Sequence, residues 1–123
     1  MVNVFLISLV TSVSALISGG TADKIAVALQ SGNTTELAAM FNSSIELVTP
    51  STSNVYAKDQ AKIVLDNFFK LHAPTKAVLT HQTNGSQSSM LIFDLTTKTG
   101  NFRVTVHANT ANGGFVINEF KIQ

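Results

Sequence analysis

Three glycine-bearing turns, at Asn84-Gly85, Thr99-Gly100 and Asn112-Gly113-Gly114, cut the second half of this sequence into four stretches of alternating apolar and polar residues. Asn-Gly and Gly-Gly pairs tolerate the left-handed backbone of tight hairpins, so such punctuation between alternating runs predicts one antiparallel meander. Residues 76–83 form the first run, and Asn84-Gly85 is expected to close a type I′ turn. Residues 90–97 return with Leu91, Phe93 and Leu95 on one face. In the next run Phe102, Val104, Val106 and Ala108 oppose Arg103, Thr105 and His107, the period-two pattern of a half-buried strand. Residues 115–122 place Val116, Phe120 and Ile122 on one side and Phe115, Ile117, Glu119 and Lys121 on the other.

Helical spacing dominates what precedes the meander. Thr21 or Asp23 is positioned to cap a short helix carrying Ile25, Ala28 and Leu29, with Gly32 as its stop. Asn33 then caps a second, Glu36 follows three residues later as in a capping box, and Leu37, Met40 and Phe41 form its apolar stripe. Residues 44–49 alternate as a strand ended by Pro50, and residues 53–56 pair back as a shorter one. From Lys58 to His72 the period is helical again: Ala61, Val64, Leu65, Phe68 and Leu71 share a face, and Pro74 closes the segment. Asp66 and Lys70 stand four apart in the favourable order for an ion pair. The order ααββαββββ describes an α+β domain with three helices packed in a strongly curved antiparallel sheet.

With 123 residues, 45% of them hydrophobic and 12% charged, the chain has room for one core and one domain. Its net charge of +1, without any cluster of Lys or Arg, argues against a nucleic-acid partner. No charged residue precedes Asp23, whereas residues 4–17 are mostly Val, Leu, Ile, Phe and Ala and run into Ser18-Gly19-Gly20-Thr21-Ala22. That contrast predicts a signal peptide over residues 1–22, cleaved after Gly20 or Ala22, and a single domain over residues 23–123. The missing basic residue before the apolar run leaves open a buried N-terminal helix instead. Export to the periplasm or medium follows, with no stable membrane span once the signal is removed. The chain has no Cys, which excludes disulfides, a cysteine nucleophile and a lipid anchor on cysteine.

Several strings carry a family resemblance: residues 25–32 (Ile-Ala-Val-Ala-Leu-Gln-Ser-Gly), residues 56–61 (Tyr-Ala-Lys-Asp-Gln-Ala), residues 65–69 (Leu-Asp-Asn-Phe-Phe), His81, Leu95-Thr96-Thr97 and Gly100-Asn101-Phe102-Arg103-Val104. From about Ala22 to the C-terminus the chain resembles a bacterial family of exported single-domain proteins of unknown function. These share the nuclear transport factor 2-like, or cystatin-like, fold. The resemblance implies that cone-shaped fold and export, and it implies no activity. In relatives the glycine is expected closer to the histidine than in His81-Gln82-Thr83-Asn84-Gly85, a departure in this hairpin.

Acid–base enzymes on such a fold place a carboxylate deep in the cone, where its pKa is matched to proton transfer. Here Asp23, Glu36, Asp59 and Asp66 fall at helix starts or on polar helix faces. Glu46 alternates with Ile45 and Leu47, and Asp94 with Phe93 and Leu95, so both are expected on the outer sheet face, Asp94 near Arg103. His72, His81 and His107 match no metal-ligand spacing, so no metal and no cofactor is expected. No serine sits in a nucleophile elbow and no glycine cluster precedes a helix as a phosphate loop. Tyr56, Phe68, Phe69 and His81 are the candidate ligand-binding residues. Met90, Ile92 and Arg103 are the candidate interface residues of a homodimer through the outer sheet face. The reading is a non-catalytic exported domain that binds a small apolar or amphipathic molecule or a protein partner. The alternatives are an isomerase- or hydratase-type enzyme, with Glu46 or Asp94 as base and Tyr56 or His81 as polariser, and a structural dimerisation module.

Overall fold

The computed structural model describes residues 20–123. The expected leader over residues 1–22 lies outside the described residues up to residue 19, and residues 20–31 are helical (α1). Thr21 and Asp23 are therefore inside α1 and do not cap it. The rest runs α2 (Thr34–Ala39), β1 (Phe41–Thr49), β2 (Thr52–Ala57), α3 (Lys58–Leu71), β3 (Pro74–Asn84), β4 (Ser88–Thr97), β5 (Gly100–Asn109), a short 3-10 turn (Ala111–Gly113) and β6 (Val116–Ile122). This is the expected α+β order, with three helices against one curved six-stranded sheet.

The strands lie in the order β2-β1-β6-β5-β4-β3. β3 to β6 form the antiparallel meander, and β1 and β2 form an antiparallel hairpin. The expectation of a wholly antiparallel sheet meets one exception, because the two units join through parallel pairing of β1 with β6. The chain reaches that joint through the 3-10 turn, where Asn112 (φ 61°) and Gly113 (φ 75°) both adopt the left-handed backbone that reverses direction in few residues.

Two bulges decide which side chains face the helices. In β6 both Asn118 and Glu119 stand against His107, so the alternation slips by one residue. Ile117 is consequently as buried as Phe120 and Ile122, whereas Val116, expected beside them, is exposed. In β3 the extra residue falls between Leu79 and His81. Strict alternation from Ala77 and Leu79 would carry His81 inward, and the bulge returns it to the outer face opposite Ile92. The type I′ turn expected at Asn84-Gly85 does not form: Asn84 pairs with Ser89, and the Gly85 N–H donates to the Ser88 carbonyl at 2.7 Å across a wider loop.

The core gathers Ile25 and Leu29 of α1, Leu37 of α2, Leu65 of α3, and the inner residues of β1, β4, β5 and β6, among them Leu47, Phe93, Val106 and Phe120. Each fully buried side chain of this size contributes about 1.5–3 kcal/mol relative to exposure. α1 stops at Gly32 in a Schellman motif, with the Gly32 N–H on the Leu29 carbonyl at 3.2 Å and the Asn33 N–H on the Ala28 carbonyl at 2.8 Å. Asn33 then caps α2, its Oδ1 accepting from the Glu36 N–H at 3.1 Å. Its own N–H is already committed to α1, so only half of the expected capping box forms. Gly32 has φ +66° and space for a Cβ at ordinary contact with Pro74 (3.4 Å). Gly32→Ala is therefore expected to lower the unfolding free energy by about 1–2 kcal/mol through backbone strain alone. Gly85→Ala, without positive φ, should stay within about 0.5 kcal/mol; urea denaturation of the two variants checks the contrast.

Candidate functional site

Where the turn between β1 and β2 approaches the last turns of α3, a cleft of about 300 Å³ opens. Thr49, Pro50, Ser51, Thr52 and Tyr56 line one side, and Val64, Asn67, Phe68, Leu71 and His72 the other. Pro50 makes the first side by ending β1, and Tyr56 is held by a hydrogen bond of 2.7 Å between its hydroxyl and Thr52 Oγ1. On the second side Phe68 is buried while Leu71, expected on the core face, is 72% exposed. The reason is positional: Leu71 is the last helical residue and overhangs the cleft beyond the buried part of the stripe.

Phe68 and His72 of the lining belong to an aromatic cluster. Phe68 lies edge-on to Phe102 at 5.2 Å and to Phe69 at 5.4 Å, and the His72 ring sits 4.6 Å from Phe68 and 5.2 Å from Phe102. No Asp, Glu, Lys or Arg lines the cleft. Among the described residues the buried polar side chains are Thr34, Thr49 and Thr97, so no ionisable group is sequestered in the core.

Of the residues selected from sequence, Tyr56 and Phe68 meet in this cleft. Phe69 lines a different one, of about 340 Å³, with Ser31, Gly32, Asp66, Lys70 and Pro74. His81 is exposed, its Nε2 3.2 Å from Thr83 Oγ1, and the structure does not bring it to Tyr56 or Phe68. Met90 and Ile92 are half-buried on the outer sheet face, opposite His107 and Thr105, and Arg103 is exposed opposite Asp94. Arg103 and Asp94 make no ion pair among the described residues; that face instead pairs Glu119 with Lys121 (3.3 Å) and His107 (3.5 Å). Glu46 and Asp94 are exposed, far from the environment that turns a carboxylate into a general base. No group of three or more His, Asp or Glu able to hold a metal ion occurs among the described residues. No helix among them is long and apolar enough to cross a membrane. Sequence reasoning missed His72, which reads as a helix end. The available signal was Thr97-Lys98-Thr99-Gly100, a turn whose Thr99 hydroxyl meets the His72 ring and is itself bonded to the Thr97 hydroxyl.

The expected Asp66–Lys70 pair is replaced by Lys62, whose Nζ is 3.2 Å from Asp66 Oδ2, while the buried Thr34 hydroxyl donates to Oδ1 and ties α2 to α3. The Thr34 hydrogen bond, then the Lys62 hydrogen bond and charge and the Lys70 charge, hold the Asp66 carboxyl below its ordinary value of 3.8 against the opposing effect of desolvation.

The fold is that of nuclear transport factor 2-like proteins: a protein of that type and of unknown function from Silicibacter pomeroyi DSS-3 superposes with a TM-score of 0.62 at 12% identity, over 94% of this chain and 97% of that one. The chain belongs to the family described as Domain of unknown function (DUF4783), matched over residues 22–123. It is similar to the DUF4783 family protein of Bacteroides uniformis ATCC 8492, with 25% identity and a TM-score of 0.78 over 85% of this chain and 96% of that one. The DUF4783 family protein of Bacteroides fragilis YCH46 gives 27% identity and a TM-score of 0.74 over 80% and 93% of the two chains. No curated protein matches the chain.

A lowered carboxylate pKa stabilises the fold fully above the unfolded value and loses that contribution as pH falls through the folded value. Asp66→Asn should therefore reduce stability at pH 7 and flatten its decline in acid, as read by urea midpoints from neutral pH to below 3.8. Since the Asp66 side chain is 38% exposed, Thr34→Val is expected to cost only about 1 kcal/mol at neutral pH and to bring the carboxyl back toward its ordinary value.

Proposed function

We propose that this protein is an exported binding domain that holds a small apolar or amphipathic molecule in the cleft between the β1–β2 turn and the end of α3. The observation that carries the reading is the lining: an aromatic and aliphatic wall with hydroxyl, amide and imidazole groups and no charged residue. Binding sites are mostly apolar with a few convergent polar groups, and 300 Å³ is at the small end of their range. The carboxylates that the enzyme alternative would use as base, Glu46 and Asp94, are exposed away from the cleft.

Export rests on the uncharged apolar run of residues 4–17. Between the two cleavage positions, the one after Gly20 is favoured, because Ala22 is packed against the core and removal through Ala22 would strip that contact. Titration of the protein with 1-hexanol, followed by nuclear magnetic resonance, is expected to shift Val64, Phe68 and Leu71. Leu71→Glu, at an exposed position, should leave stability within about 0.5 kcal/mol and weaken hexanol binding about tenfold by placing a charge in the apolar wall. Resonances of the cleft that stay still at saturating hexanol would sink the reading.

A second reading concerns the outer sheet face, where Val78 (44% exposed) and Val116 (38%) join Met90 and Ile92 among polar neighbours. An apolar patch there fits a homodimer contact. Sedimentation should then report a dimer that Ile92→Lys converts to monomer; a wild-type monomer at high concentration removes this reading and leaves the cleft untouched.

A further inference from the structure

We infer that the cleft presents the unprotonated Nε2 of His72 as a hydrogen-bond acceptor, and so selects uncharged ligands that carry a hydroxyl or N–H donor on a compact apolar body. The inference rests on the reading of the cleft as a binding site and adds what that site recognises.

A chain of hydroxyls fixes where each proton lies. Thr97 Oγ1 lies 2.7 Å from the Gly100 carbonyl. A carbonyl only accepts, so the single hydroxyl proton of Thr97 is donated there. Thr97 Oγ1 must then act as acceptor toward Thr99, both to its backbone N–H at 3.2 Å and to its hydroxyl at 3.2 Å. That uses the single hydroxyl proton of Thr99, whose oxygen is left to accept from the ring nitrogen it touches, Nδ1 of His72. A neutral imidazole with its proton on Nδ1 carries a lone pair on Nε2.

The relay is anchored at both ends. Thr97 is buried, which shields its bond to Gly100 from water. The intervening Lys98 N–H donates to the Ala73 carbonyl at 2.9 Å, fastening the β4–β5 turn to the residue next to His72. Phe68 and Phe102 pack against the imidazole, so the ring has little freedom to turn over. Nε2 makes no hydrogen bond among the described residues, and His72 lines the cleft. An acceptor without a partner beside an apolar wall favours a ligand donor, because desolvating it unpaired is unfavourable. Anionic ligands find no Lys or Arg in the lining and cationic ones no Asp or Glu.

The test compares phenol with anisole, the same ring with its O–H replaced by O–CH3, on the purified full chain. Long-range proton–nitrogen spectra of the histidine rings should show His72 with its proton on Nδ1 before any probe is added. Phenol is expected to bind about fivefold more tightly than anisole, the worth of one net hydrogen bond, and to move the Nε2 resonance. Thr99→Val, at an exposed position, should let the Nε2–H form appear and erase the preference. His72→Phe should erase it while anisole binding persists, since a ring still fills the stack. A proton on Nε2 in the free protein overturns the inference, as does equal binding of both probes in a cleft that accepts them. If neither probe shifts Tyr56, Val64 or Phe68, the binding reading falls as well, which separates the two failures.

Discussion

The seating of α3 on the inner face of β1 and β2 is the interaction on which the rest depends. Ala61, Leu65, Phe68 and Phe69 enter the core and fix both the height of the helix above the sheet and its rotation. An isolated helix of this length is marginal in water, so its position is set by that buried stripe. Once it is seated, its C-terminal end beyond Phe69 projects past the buried region. Leu71 and His72 are thereby carried to the β1–β2 turn and to the β4–β5 turn, and a cleft exists because two sheet ends and one helix end meet there. Thr34 and Asp66 add a polar lock from α2 to α3 at the opposite flank of the helix.

The curvature that creates this end is written into the strands as irregularity. A bulge leaves two residues facing one, bends the strand and inverts the alternation beyond it. In β6 it allows Ile117 and Phe120 to be buried together although they are three apart, an interval no regular strand accommodates on one face. In β3 it turns His81 away from the interior. The bulges thus do two things at once: they curve the sheet around the helices and they clear ionisable groups from the inner face.

The Phe102-Val104-Val106-Ala108 alternation and the helical spacing of Ala61, Leu65 and Phe68 made β5 and α3 legible from sequence, because each pattern matches a single period over its full length. Gly32 was legible for the same kind of reason, since only its left-handed backbone ends α1 where it does. The order of elements was readable and the parallel pairing of β1 with β6 was not, as nothing local specifies which distant strand completes an edge. Val116 was assigned to the wrong face because a bulge has no periodic signature. Of the cleft, Tyr56 and Phe68 were readable as aromatic residues near element ends, whereas Leu71 and His72 depend on where the helix terminates relative to the sheet. Residues whose role arises from a helix end meeting a turn some 27 positions away carry no pattern of their own.

A hydroxyl relay is an economical way to define the ring of His72 without placing a charge near it. A carboxylate on Nδ1 would orient the imidazole equally well, but it would also favour the protonated ring, in which Nε2 is a donor and no longer an acceptor. Thr97 and Thr99 orient by donor and acceptor count alone, and the surrounding groups remain neutral. That choice fits the rest of the interior, where the buried polar side chains among the described residues are threonines and every carboxylate lies toward solvent or in an ion pair at the surface. On the binding reading proposed above, such a pocket would discriminate by shape and by the direction of a single hydrogen bond. That selectivity would depend on the angle at which α3 delivers His72 to the β4–β5 turn, and a shift of that helix end would change what is recognised before it changed whether the domain folds.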